Sequence, residues 1–310
     1  MRKKHLRNIA IICFSAVLCT AALFDRASAE DVFFYDSSSE AAAEIREAMK
    51  NRESEVTVGV IKDVDRESLK KLIGGLLSEA VKHTGVPDEG DYINFQYSRY
   101  DGSAKTERVK GKTGVVLRYK LAYYDSAAQE KEVDAKVREV IRSLELDDKS
   151  DYEKLVAIHG WICDNVEYDS DDGSDLRRTA YDAIVNGKAV CQGYSNALYR
   201  LLLEAGVDNR IIFGEGMESN GVTMAHTWNI VDLYGKYYYV DATWDDSTGS
   251  LDYFLQPAGE FTDSHIPGDE YGAGFFTEQY PVSDKEFTFD VGKPNAAVIS
   301  CARKMAAALS

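Results

Sequence analysis

Apolar and polar positions along the chain change period several times, and each change marks an expected element. Residues 40–50 carry a helical pattern, residues 55–61 form a Val-rich strand, and residues 66–82 return to a helical period with Asp65 as N-cap. Two aromatic and β-branched stretches, 92–100 and 115–124, flank a polar segment containing Gly102, Gly111 and Gly114, which predicts a long hairpin. Tyrosines on a half-exposed sheet of this kind read as packing. Residues 127–146 are strongly helical, with Val133, Val137, Val140, Ile141 and Leu144 on one face, and Asp147-Asp148-Lys149 breaks the pattern.

A second set of elements follows. Ser150 and Glu153 make a capping box for a helix that turns Leu155, Ile158, Trp161 and Ile162 to a core. Residues 179–185 read as a short helix ended by Asn186-Gly187. A helix then runs from Cys191 to about Ala205, with Leu198, Leu201, Leu202 and Ala205 inward and Gly206 as its stop. Residues 225–231 and 237–244 are expected strands. If Tyr234-Gly235 is a two-residue turn, Leu233 faces Lys236 and Trp228 faces Asp241. That register puts His226 and Asp241 on one sheet face as diagonal neighbours, about 7–8 Å apart at the backbone.

The chain therefore divides into a small α/β domain over residues 30–146, a second domain over 147–260 and a C-terminal extension, 261–310, packing on that core. With 310 residues, 45% apolar and 28% charged, the chain is long enough to bury a sizeable core. Its start is different in kind: a basic segment up to Arg7, an apolar run over 9–24, and Ala27-Ser28-Ala29. This order predicts a signal peptide over residues 1–29, cleaved after Ala29, and a secreted or extracytoplasmic protein. The apolar run is short for a membrane span, which needs about 20 residues, so no stable insertion is expected after cleavage. Leu18 stands where a lipoprotein signal would want a small residue before Cys19. Cleavage would leave 31 basic and 51 acidic side chains, a net charge of −20, against −16 for the whole chain. Such a surface repels nucleic acid and anionic lipid.

Three cysteines would remain, Cys163, Cys191 and Cys301, and an odd number outside the cell leaves a thiol unpaired. Cys163, on a helix, is expected to be a structural thiol, and Cys301 lies in an Ala-rich tail. Cys191 is distinguished by its place at the start of a buried helix. Unpaired N–H groups and the positive helix end there stabilise both a thiolate and a developing oxyanion. His226 can accept the thiol proton, and Asp241 can orient the imidazole. Of the other histidines, His83 and His159 fall on helices and His265 in a loop.

The run Gly187-Lys188-Ala189-Val190-Cys191-Gln192-Gly193-Tyr194-Ser195, then Ala225-His226-Thr227-Trp228-Asn229, then Val240-Asp241-Ala242-Thr243-Trp244-Asp245 resembles the bacterial transglutaminase-like domain. Ala157-Ile158-His159-Gly160-Trp161-Ile162 and Asn165-Val166-Glu167-Tyr168-Asp169 resemble its opening segment. The resemblance covers about residues 150–246. It implies an α+β fold with a papain-like core, in which the helix carrying the cysteine packs on an antiparallel sheet. It further implies Cys191 as nucleophile, His226 as general base and acid, Asp241 as orienting carboxylate, and the Cys191 N–H in the oxyanion hole.

One departure bears on activity: animal cross-linking transglutaminases usually carry tryptophan after the cysteine, and here stands Gln192. The expected activity is thiol-mediated acyl transfer on peptide or glutamine-type amides, with hydrolysis favoured slightly over amine transfer. The expected partner is a protein or peptide substrate, with envelope association open. The competing reading is a non-catalytic cell-surface module that binds peptide or wall polymer. No cofactor motif is present. Asp245-Asp246-Ser247-Thr248-Gly249 lacks the alternating ligand spacing of a calcium loop and reads as an acidic turn. Trp228 and Trp244 read as packing beside the hairpin.

Overall fold

The computed structural model describes residues 32–288, apart from residues 172, 218–220 and 273 and the side chains of residues 66 and 260. The expected signal peptide and Cys301 lie outside the described residues. The chain forms two compact units, one containing the described residues up to Thr84 together with Asp88–Ala127, and the other Gly85–Pro87 and the described residues from Ala128 onward.

In the first unit, β1 (Phe34–Tyr35), α1 (Ser38–Lys50), β2 (Glu55–Ile61), α2 (Arg66–Ala80), α3 (Asp91–Asn94), β3 (Tyr97–Val109) and β4 (Lys112–Tyr123) follow in order. The sheet order is β1-β2-β4-β3, with β1 parallel to β2 and the other pairs antiparallel. Ser37 caps α1 through a capping box with Glu40, and Asp65 caps α2. Ile45 and Met49 of α1, and Ile73 and Leu76 of α2, join Val58, Val60 and Leu117 in its core. The hairpin is tighter than expected. Its turn is Lys110-Gly111, with φ of 50° and 84°, so the polar stretch is itself strand rather than loop. Two consecutive positive φ values fit a two-residue turn that matches strand twist. Tyr92 and Ile93, expected in a strand, are buried in α3 instead.

The second unit contains all but the first residue of α4 (Ala127–Leu144), a helix expected to close the N-terminal domain. It continues with α5 (Asp151–Asn165), β5 (Glu167–Tyr168), β6 (Lys188–Ala189), α6 (Cys191–Glu204), β7 (Asn209–Met217), β8 (Thr223–Asp232), β9 (Tyr237–Val240) and α7 (Ala242–Thr248). It then runs through α8 (Ala258–Ser264), β10 (His265–Pro267), α9 (Asp269–Gly272) and α10 (Phe275–Gln279). The main sheet is antiparallel, in the order β10-β7-β8-β9.

Every residue of α6 from Gln192 to Leu203 is buried, so this helix is a core element rather than an amphipathic surface one. Buried amides join it to the sheet: Asn229 Nδ2 donates to Ser195 O at 3.2 Å, and Asn209 Nδ2 donates to Tyr199 O at 3.3 Å. The fold is thus α+β, with the cysteine-bearing helix packed on an antiparallel sheet. Tyr234-Gly235, with φ of 59° and 83°, forms the expected turn, and β8 pairs β9 from Asp232 opposite Tyr237 to Asn229 opposite Val240. β9 stops at Val240, whereas a strand to Trp244 was expected, because Asp241 caps a helix there.

Candidate active site

Cys191 is the first residue of α6. Val190, in extended conformation, precedes it, and its carbonyl accepts the N–H groups of Gly193 at 2.8 Å and Tyr194 at 3.1 Å. This turn packs closely on the preceding chain. A Cβ at Gly193 would stand 2.6 Å from the Ala189 Cβ and 2.7 Å from Arg177 O, so glycine is required for the helix to begin where it does. The sulfur sits at the positive end of the helix.

His226 lies on β8 opposite Gly214 of β7. A Cβ at the neighbouring Gly216 would come within 2.9 Å of the Trp244 indole and 3.2 Å of the His226 ring, so this glycine makes room for both. The imidazole stacks near the indoles of Trp228 and Trp244, with centroids 5.9 and 5.1 Å away. Its Nε2 donates to Asp241 Oδ2 at 2.6 Å, which leaves Nδ1 for the Cys191 sulfur.

Asp241 follows directly on β9 and is the N-cap of α7. Its Oδ1 accepts the Thr243 N–H at 3.0 Å and the Trp244 N–H at 3.2 Å. Its Oδ2 accepts from His226 and also from His265 Nε2 at 3.0 Å. The carboxylate is 1% exposed, yet four donors satisfy it. The structure thus brings Cys191, His226 and Asp241 into one array.

The charges are coupled. Burial opposes the imidazolium, but Asp241 and Cys191 outweigh it and push His226 up to about 10. Burial opposes the Asp241 carboxylate as well, but His226 and then His265 hold it well below the usual carboxylate range. Burial likewise opposes the Cys191 thiolate, yet His226 and Thr227 bring the thiol below its ordinary value. Together these shifts favour a thiolate and imidazolium pair.

His265 was not singled out from the sequence. It begins β10, is fully buried, and stacks on Phe261 at 3.9 Å, with its Nδ1 2.9 Å from the Ser264 hydroxyl. Burial lowers its pKa, so it stays neutral and gives Asp241 a second N–H. Among the described residues, His226, Asp241 and His265 are the group close enough to share a metal ion, and two imidazoles with a carboxylate suit zinc. Here both Nε2 atoms stand at hydrogen-bond distance from one oxygen, so the trio works as a donor clamp on Asp241.

A cavity of about 470 Å³ opens on Cys191 and His226, with Tyr168, Met217, Met224, Trp244 and Tyr253 among its walls. Trp244 therefore lines the cleft, whereas Trp228 is fully buried packing. The expected acidic turn after Trp244 is helix instead. Asp245 Oδ2 lies 3.0 Å from His159 Nε2, and Asp246 Oδ2 2.7 Å from the Tyr194 hydroxyl.

Residues 138–242 match the family described as the transglutaminase-like superfamily. Kyphoscoliosis peptidase of Mus musculus is 29% identical over 168 residues, covering 47% of this chain and 25% of that protein. The Homo sapiens protein of the same name is 28% identical over 156 residues, covering 43% and 23%. The chain thus spans about a quarter of the length of these curated relatives. Among solved structures, a TGase is similar at 13% identity and a TM-score of 0.32, over 81% of this chain and 65% of that one. Calcium-bound LapG of Legionella pneumophila is similar at 14% identity and a TM-score of 0.33, over 57% and 97%.

Proposed function

We propose that the protein is an exported enzyme that transfers acyl groups from peptide or glutamine-type amides through a thioester on Cys191. The observation that carries this reading is the 2.6 Å contact of His226 Nε2 with Asp241, which commits the other ring nitrogen to a thiol at a helix N-terminus. The matched superfamily domain supports it. Export rests on the basic, apolar and small-residue order of residues 1–29.

In this mechanism the Cys191 thiolate attacks the amide carbonyl, and the Cys191 backbone N–H receives the oxyanion. The His226 imidazolium gives its proton to the leaving amine, and the thioester remains. His226 then takes a proton from the acceptor, water or an amine, and the tetrahedral intermediate collapses to free the thiolate. Asp241 holds the ring and its positive charge throughout. Met217, Met224 and Trp244 offer an apolar wall to the acyl donor. The cross-linking enzymes' tryptophan is replaced by the buried Gln192, so water is the favoured acceptor.

The test is incubation of the full chain with a proteome-derived peptide mixture and a biotinylated primary amine, alongside Cys191→Ala. New peptide N-termini that depend on Cys191 support hydrolysis, and Cys191-dependent amine incorporation supports transfer. If neither forms above the Cys191→Ala control, the acyl-transfer reading fails and peptide or wall-polymer binding takes its place.

A further inference from the structure

A second cysteine, histidine and carboxylate stand in line outside the site described above. Cys163 and His159 are one helical turn apart on α5, with Cys163 Sγ 3.8 Å from His159 Nδ1. His159 Nε2 lies 3.0 Å from Asp245 Oδ2, and Asp245 Oδ1 accepts the Tyr253 N–H at 2.9 Å. The carboxylate thus engages Nε2 and turns Nδ1 to the sulfur, the same order of atoms as in the Cys191 array. Both carboxylates come from the start of α7, Asp241 as its cap and Asp245 one turn on, with the Asp245 N–H donating to Asp241 O at 3.1 Å.

A thiol serving only packing would be sealed off. Cys163 is half-buried and lines a cavity of about 480 Å³ that does not include Cys191 or His226. Asp164, Glu167 and Asp246 stand against Lys188 on its wall, an excess of negative charge. Those carboxylates disfavour an anionic reagent, while His159 beside the sulfur supplies positive charge and holds the proton during attack.

We propose that Cys163, His159 and Asp245 form a second thiol site, which takes up small cationic disulfides by exchange and holds one half as a mixed disulfide. With the proton shared by Cys163 and His159 on His159 Nδ1, the Cys163 sulfur attacks one sulfur of R–S–S–R. The reagent's S–S bond breaks as the Cys163 S–S bond forms. The departing R–S⁻ takes the proton from His159 and leaves as R–SH, so no outside oxidant or reductant is needed.

The site is tested in Cys191→Ala protein, which separates it from the acyl-transfer reading. The probes are cystamine, a dication, and 2-hydroxyethyl disulfide, its neutral counterpart, at pH 7 and low salt. The rate at Cys163 is followed by peptide mass spectrometry and divided by the rate in guanidinium-unfolded protein. The expected result is a cystamine rate at least about 10-fold above the unfolded value, and a cystamine preference that shrinks in 1 M salt, where the Debye length is about 3 Å. His159→Gln is expected to slow Cys163 by about 10-fold. Since that buried variant risks misfolding, Asp164→Asn with Glu167→Gln, both at exposed positions, is measured too and should reduce the cystamine preference severalfold. A folded Cys163 no faster than the unfolded one, an equal preference for the two probes, or a folded His159→Gln protein with an unchanged rate would each overturn the proposal.

Discussion

At the residue scale, the array depends on Asp241, a single carboxylate with four donors. Its replacement by Asn keeps an acceptor for the α7 N-terminus but removes the charge that holds the His226 imidazolium. We expect Asp241→Asn to lower kcat by roughly 10³–10⁴-fold and, because the buried partner of two imidazoles loses its charge, to lower the unfolding temperature at neutral pH as well, with kcat measured on whichever amide substrate the peptide screen identifies. His265 acts through Asp241 as a positioning residue. His265→Ala should lower kcat by roughly 10–100-fold, leave KM nearly unchanged and move the acid limb of the pH profile upward, because Asp241 loses one of the donors favouring its charge. Restoration of that limb by His265→Gln would identify the lost N–H as the cause, whereas a merely structural role would leave the limb in place. That Cys191, His226 and Asp241 come together was legible from helix start, strand alternation and turn register, and from the family resemblance. His265 was not, since its partner is 24 positions away in sequence and no local period marks a three-residue edge strand.

At the element scale, the helix start at Cys191 is set by close packing. Gly193→Ala would press a methyl group against the Ala189 Cβ and Arg177 O, and overpacking of this kind costs about 1–3 kcal/mol. The prediction is a lower unfolding temperature together with slower Cys191 alkylation, both read on the same preparation. Loss of a remote cap should separate the two effects. Ser150→Ala removes the α5 capping box, which contributes about 1 kcal/mol, yet should leave Cys191 reactivity unchanged. The capping box of Ser150 and Glu153 and the Tyr234-Gly235 turn were readable because their signals span only a few residues. β7 was missed because it is a central strand buried along most of its length, interrupted by two glycines, and so shows no alternation. β9 ends earlier than its pattern suggests, because Asp241 caps a helix within an aromatic run that continues to favour strand.

At the scale of the whole molecule, stability should form a plateau in pH with a loss on each side. His226 and His159 are each held up to about 10, His159 because Cys163 and Asp245 outweigh burial. Their contributions are full below the unfolded value of about 6.5 and disappear as pH rises through about 10. Asp241, held low, contributes above its unfolded value of about 3.9 and loses that contribution as pH falls toward the depressed folded value. Scanning calorimetry across pH should therefore show the unfolding temperature falling at both ends, with the alkaline fall reduced in a folded His159→Gln protein. A flat alkaline limb would mean that the buried imidazoles are not charged. The helix-on-sheet arrangement was legible from periodicity and resemblance, whereas the placement of α4 with the second unit was not, because a helix's apolar stripe does not name its partner.

The measurement that most directly tests an activated thiolate at Cys191 is the pH dependence of its alkylation by iodoacetamide, located by peptide mass spectrometry, with His226→Ala alongside. An activated thiolate predicts a half-maximal rate at a pH below the free-thiol value of about 8.5, and loss of that displacement in His226→Ala. A Cys191 that titrates as a free thiol, or whose profile is the same without His226, would contradict it.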